Sequence, residues 1–484
     1  KPYADIVKDP RSTIVFDKKL HDEIERATRE KGTDAKLVQT AAGEVALVSM
    51  TAKILQILGA KMANLVPGGG VWLNTQRPEW NDANNALAGY GLSMVTLYYI
   101  RRFLTFLIDL YRNAGIDEFS VPRETADFFL ALKAQYRAND PSTLNDPHAR
   151  RAFMDSIGGL FEAERASLYA NGFSPETVKI PRSQVIDGLT CFLTHAEATI
   201  KANRRADGLY HAYNTMTIGP DGGMEIHFLP EMLEGQVAVL SSGILSGKEA
   251  LELCRALKTG RLFRPDQYSY ILYPDKELPH FEAKNNVSAS EAKQIPLLVE
   301  MLSKKDPALI HADAEGVCHF NPAFRNARGI DETIESIRKS GRYDPALVNS
   351  SERAIHVLYE RTFNHQSFTG RSGTFYAYEG IGSIYWHMVS KLLLAVQEIC
   401  LAERDPATRA ALAAVYYDVR KGIGFNKTPA VYGAFPTDPY SHTPAGQGAK
   451  QPGMTGQVKE EVITRWGELG LVIENGTLRV KPDL

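Results

Sequence analysis

Cysteine is scarce and scattered in this 484-residue chain: Cys191, Cys254, Cys318 and Cys400 stand far apart, and no pair has CxxC spacing. That excludes a zinc knuckle and a dithiol redox site. The histidines show no HExxH spacing, so no metal is expected. Neither sign of charge is in excess, with 55 Lys and Arg against 57 Asp and Glu. A broad basic surface is therefore not implied, and no nucleic-acid partner is expected. No apolar run of about 18 residues occurs, so no transmembrane segment is expected, and the N-terminus lacks a signal-peptide layout. Clean Val/Ile-rich strands are too few for a (β/α) barrel.

Helical periodicity dominates what is present. Apolar residues recur at spacings of three and four over 45–65, 92–111, 124–138, 150–169, 184–203, 232–259, 292–302, 383–403 and 406–420. Between them run loops rich in Gly, Pro, Asn, Asp and aromatics at 67–85, 207–230, 319–329, 361–382 and 422–455. Several exceed the usual connection length, which points to an active-site face. Residues 471–480, with Asn475-Gly476 at the centre, read as a β-hairpin. Helix pairs joined alternately by short and long loops suit an all-α-dominated (α/α)6 toroid. The nine segments fall short of six complete hairpins, so the toroid is expected to be incomplete at its N-terminal side. The expected organisation is an N-terminal helical segment over 1–66, the toroid over 67–470 and a β segment over 471–484. Opening on Lys1 rather than Met, the chain reads as a fragment or a processed product.

Four loops carry potential ligands. Arg77-Pro78-Glu79-Trp80-Asn81-Asp82 joins an indole, an amide and carboxylates ahead of a helix, the residue types of a sugar site. The second runs from Asp207 through Tyr210 to Asn214. The third, Thr369–Gly380, contains Arg371, Ser372, Tyr376, Tyr378 and Glu379 and is followed by Tyr385-Trp386-His387. It is not a P-loop, since the terminal Lys-Ser/Thr is absent. The fourth, 438–457, ends on Met454-Thr455-Gly456-Gln457. Each has a bland alternative. Trp80 could be a wall residue and His387 a satisfied core histidine. Glu379 could accept backbone donors at a helix start, and the tyrosines could be core aromatics. Thr455 could be a helix N-cap, which is compatible with anion binding.

Taken together, these blocks resemble the inverting cellobiose phosphorylase family, glycoside hydrolase family 94, whose catalytic domain is an (α/α)6 toroid. Glu79-Trp80-Asn81-Asp82-Ala83 resembles its Asp-Trp-Asn-Asp-Gly signature, departing at Glu79 and Ala83. The resemblance implies that Asp82 is the general acid and that Trp80 contacts sugar. Asp207-Gly208 through Tyr213 is similar to the Trp-Asp-Gly segment, and Glu234–Gly243 to the Gln-Ser-Trp-Ala-Val-Leu-Ser-Gly helix. Glu379-Gly380-Ile381-Gly382 followed by His387 resembles Glu-Asn-Gly-Gly and its phosphate-binding histidine, and Thr455-Gly456 resembles a phosphate-holding Thr-Gly. The terminal Leu478–Pro482 is similar to the family's closing strand.

The implied site comprises Asp82 and Glu379 as catalytic carboxylates and Trp80, Asn81, Asp207, Tyr210, Tyr378 and Trp386 as sugar contacts. His387, Thr455, Arg371 and Ser372 would hold phosphate. The expected reaction is inverting phosphorolysis of a β-linked gluco-oligosaccharide or disaccharide to an α-sugar 1-phosphate. No cofactor is expected beyond inorganic phosphate as co-substrate. An inverting hydrolase is the first alternative; it needs a second carboxylate about 6.5–9.5 Å from the acid, for which Glu379 is the candidate. A non-catalytic carbohydrate-binding protein is the second. The expected partners are an oligosaccharide and, by resemblance, an N-terminal β-sandwich or the remainder of the same protein; a homodimer is compatible. The compartment is open, with cytoplasm favoured over periplasm or secretion.

Overall fold

The structure, a computed structural model, describes all residues except 11–13, 41, 75–86, 174–175, 220, 275–282, 364–382, 437–439, 453–456, 475 and 483. The chain divides into two compact units. The first takes the described residues of Lys1–Gln76, Ala88–Pro274 and Ile381–Leu484; the described part of the second is Leu87 and residues 283–363. The sequence did not suggest this division inside 67–470.

Helices dominate both units, with only small sheets between them. In the first unit, Met94–Arg112 is capped by Ser93, whose hydroxyl accepts the Thr96 N–H over 3.0 Å. This helix packs on Arg182–Ala202 and on Leu233–Ser241. The Leu233–Ser241 helix packs in turn on Trp386–Ala402, which also meets Pro406–Lys421 and Gln457–Glu468. Residues 232–259, expected as one helix, form two, Leu233–Ser241 and Gly247–Thr259. Gly243 adopts φ +74°, a left-handed conformation that ends the first, and Ser246 with Glu249 makes a capping box that starts the second. Among the described residues, no helix is long and apolar enough to cross a membrane.

The segment expected as a loop over 207–230 is largely a β-hairpin, Tyr213–Ile218 against Met224–Phe228. It extends an antiparallel sheet in which Leu65–Val66, Gly70–Trp72 and Gly91–Ser93 are the other strands. The C-terminal hairpin is as expected, with Leu471↔Val480 and Glu474↔Thr477 in register.

The second unit has its own core. Helices Pro296–Ser303, Arg328–Ser340 and Pro345–Phe363 cluster Leu298, Met301, Ile334, Ile337 and Ile355 around Phe320 of the hairpin Ile310–Ala312/Cys318–Phe320. On its surface, Asp331, Glu352 and His356 bring ligand atoms within 4.8 Å of one another. Arg338 already pairs with Glu352, and His356 pairs with Asp331 over 2.9 Å, so the trio reads as ion pairs.

Candidate active site

Two strand-to-helix transitions and two further helix starts build a polar cluster in the first unit. Ile384–Tyr385 pairs with Tyr440–Thr443, placing Tyr385 opposite His442, and leads directly into Trp386–Ala402. Tyr385 and His442 stack with centroids 4.8 Å apart and planes at 15°. The Tyr385 hydroxyl lies 3.2 Å from Nδ1 of His387. On the far side of that ring, Nε2 stands 3.6 Å from Oε1 of Glu460, in the first turn of Gln457–Glu468. Glu234 occupies the first turn of Leu233–Ser241 and accepts the Tyr213 hydroxyl over 3.0 Å. A helix N-terminus favours a carboxylate, which suits both acids to these positions.

These groups lie near enough to act on one another electrostatically. Burial raises the Tyr385 phenol above its usual range, and the Glu234 and Glu460 carboxylates add to the shift. Tyr99, on Met94–Arg112, is likewise raised by burial and then by Glu234, with Glu398 and Glu460 adding and Arg102 opposing. For Glu460 burial acts upward, but its hydrogen bond and charge interaction with His387, together with Lys391, outweigh it and hold the carboxyl below its ordinary value. Two carboxylates, three tyrosines and two imidazoles thus converge from distant parts of the chain.

Of the residues singled out in the sequence, Tyr385 and His387 meet in this cluster. Trp386 is fully buried; its indole donates to Thr443 Oγ1 over 2.9 Å and its ring meets the edge of Tyr432. It packs as a core residue beneath the site. Asp207 is held by Arg205 over 2.7 Å and accepts the Leu209 N–H, and Arg205 also reaches Glu231. Tyr210 is buried, and Gln236 clamps its backbone at both N–H and carbonyl over 2.9 and 2.7 Å. Tyr210 thereby ties the 207–213 segment to the helix that carries Glu234, while Asp207, through Arg205, is linked to Glu231 just ahead of it. Gly235 permits this approach, since a Cβ there would sit 2.9 Å from the Ala212 Cα. Trp80, Asn81, Asp82, Arg371, Ser372, Tyr378, Glu379 and Thr455 lie outside the described residues.

Glu460 escaped the sequence reading because it looks like any first-turn acid, and Glu234 because it stood only inside a resembling segment. The signal available was a carboxylate at an otherwise apolar helix start, as in Leu233-Glu234-Gly235-Gln236-Val237. A separate cavity of about 960 Å³ is lined by Arg101, Arg102, Phe106, Ser241, Glu398 and Arg404, among others. Glu197 and the Ser242 carbonyl take Arg101, while Glu398 takes Arg102. Those two cations are therefore already matched.

Residues 278–366 match a family model described as GH149 phosphorylase insertion domain 2. This indicates a relative of the glycoside phosphorylases. The match spans residues 283–363 of the second unit and supports a carbohydrate-active enzyme, without singling out the cellobiose phosphorylase family. No curated protein matches the chain significantly.

Proposed function

We propose that the protein cleaves a β-linked gluco-oligosaccharide or disaccharide by inverting phosphorolysis. The observation that carries this reading is the phosphorylase insertion-domain match, in a chain whose first unit gathers carboxylates, tyrosines and an imidazole. The first unit is taken as an (α/α)6 toroid. Asp82 protonates the interglycosidic oxygen as the C–O bond breaks, and a phosphate oxygen attacks the anomeric carbon from the opposite face. The product is an α-sugar 1-phosphate and a sugar with a free hydroxyl. Phosphate is already anionic and needs no base, only donors that hold it. Thr455, Arg371 and Ser372 are assigned that task. His387 stands at the edge of the set, because both of its nitrogens have protein neighbours. Trp80, Asn81 and Tyr378 are assigned to sugar. The scheme needs neither metal nor organic cofactor.

A second reading, inverting hydrolysis, draws on the two buried acids Glu234 and Glu460 beside one another's tyrosines. In that case Glu379 remains the first candidate base. Incubating a β-glucan oligosaccharide with and without inorganic phosphate separates the two. Phosphorolysis yields an α-glucosyl phosphate signal by ³¹P NMR and stalls without phosphate. Full-rate release of reducing sugar in phosphate-free buffer overturns it.

A further inference from the structure

We propose that the cleft between the start of the helix Pro147–Asn171 and the strand Met224–Phe228 binds a small organic oxyanion, its phosphate or carboxylate group held by Arg150. This goes beyond the reaction assigned above and concerns binding alone. A cavity of about 570 Å³ opens there, lined by Gly68, Asn145, Pro147, Arg150, Ala202 and residues 225–228. That is the size of a small-molecule site. None of these residues belongs to the cluster around Tyr385.

Arg150 is only 7% exposed. Its Nε donates to the Pro67 carbonyl over 2.8 Å, Nη1 to that of Met224 over 2.8 Å and Nη2 to that of Asn145 over 2.9 Å. All three partners are neutral, and they fix the plane of the guanidinium from three separate segments. Of its five N–H groups, one on each terminal nitrogen is left over. Among the described residues, the charge that acts on it is that of Asp146. The Asp146 carboxylate caps the helix instead, accepting the His148 and Ala149 amides over 3.0 and 2.9 Å. Burial holds the Arg150 pKa below the ordinary arginine value against that attraction. A buried cation without a matched anion is costly, and an oxyanion in the cavity supplies the match.

The surroundings favour an organic anion over a bare ion. Arg150 stands in the first turn of a 25-residue helix, whose dipole favours negative charge there. The acid on the wall, Glu225, is exposed, and strand alternation puts it with His227 on the face opposite Met224 and Ile226. His227 is engaged by Thr217, with Nε2 2.8 Å from Oγ1. Phe228 is 53% exposed and stacks on His211 with centroids 4.5 Å apart and planes at 20°. Its ring offers the body of a ligand a flat apolar face that inorganic phosphate would leave uncovered.

The test is titration calorimetry with glucose 1-phosphate and with citrate at constant ionic strength, on the wild type, Arg150→Gln, Ala202→Glu and Glu225→Gln. Arg150→Gln should weaken binding by about 10- to 100-fold, because a charge-assisted contact is lost. Ala202 is exposed on the wall and makes none of the Arg150 bonds, so Ala202→Glu decides alone if Arg150→Gln does not fold. It should weaken binding by about 3- to 10-fold by adding a like charge, and Glu225→Gln should tighten it by removing one. This pattern with glucose 1-phosphate identifies a phosphate ligand, and the same pattern with citrate alone identifies a carboxylate. A wild type that binds neither probe overturns the site, as does an affinity that the folded variants leave within about twofold. The KM for phosphate in turnover should be the same in Ala202→Glu as in the wild type; a parallel rise would move the binding to the active site and overturn a separate cleft. Absence of phosphorolysis would overturn the proposed function and leave the calorimetry readable.

Discussion

The Tyr213 hydroxyl donates to Glu234 over 3.0 Å, joining the central sheet to the start of the Leu233–Ser241 helix. At 1% and 4% exposure, neither partner can exchange this bond for water. The pair sets where one carboxylate of the cluster stands.

Tyr213→Phe removes that donor and leaves a buried carboxylate with one partner fewer. We expect a loss of about 1–3 kcal/mol in stability, read from the denaturation midpoint in urea. The sugar KM should rise as Glu234 loses its fixed orientation. An unchanged midpoint would show that the bond contributes nothing.

Asp82→Asn should cut turnover of a natural glycoside by about 10²–10⁴-fold while sugar binding persists, because a single displacement offers no second route for the leaving-group proton. Steady-state kinetics together with calorimetric binding of the sugar measure both halves. Activity above a tenth of wild type would remove Asp82 as the acid.

Arg420 anchors the last described helix. Its guanidinium meets Glu461 at 2.8 Å, Glu468 at 2.6 Å and the Tyr416 hydroxyl at 2.6 Å, with a side chain only 7% exposed. Arg420→Ala would leave Glu461 and Glu468, both largely covered, paired with Arg465 at 2.8 and 2.7 Å but short of one buried partner, at a cost of about 1–3 kcal/mol. Thermal unfolding should register this as a drop in Tm. A Tm within a degree of wild type would mean that the network rearranges freely.

Glu164 makes stability depend on pH. Burial raises its pKa from 4.5 to about 7; the Gln56 hydrogen bond opposes this, and Glu124 and Asp127 add to it. The unfolded chain releases this proton near 4.5 and the folded one near 7, so the group lowers stability progressively as pH rises between those values. Above about 7 the cost is fully present. Glu164→Gln should therefore unfold at a higher temperature than wild type at pH 8, and the gain should vanish below pH 4.5. Equal gains at both pH values would contradict the assignment.

Apolar residues recurring at spacings of three and four revealed Met94–Arg112 and Trp386–Ala402, but Arg328–Ser340 and Pro345–Phe363 were missed, although Ile330, Ile334 and Ile337 keep that spacing. Lys18–Lys31 was passed over because it has no buried face to leave such a trace. Gln457–Glu468, which packs on Trp386–Ala402, was signalled only by the reading of Thr455 as a helix N-cap. The hairpin over 213–228 read as a loop because Gly219, Pro220, Asp221, Gly222 and Gly223 interrupt its alternation. The C-terminal hairpin was readable for the opposite reason, with a favoured turn between two alternating strands.

The sequence by itself determined the helices that carry a clear apolar repeat, that sugar-type side chains stand in the segments between them, and that His387 stands beside an aromatic run. Only the tertiary structure decided which of these meet. Tyr99, Glu234, Tyr385, His387 and Glu460 are brought together by helices that share the packing surface of Trp386–Ala402 or of its neighbour Leu233–Ser241. Helical periodicity reports which face is buried, but it carries no information about which distant helix buries it. An acid at a helix start satisfies the local dipole equally well at a surface and in a site. It becomes chemistry only when another helix sets a tyrosine or an imidazole against it.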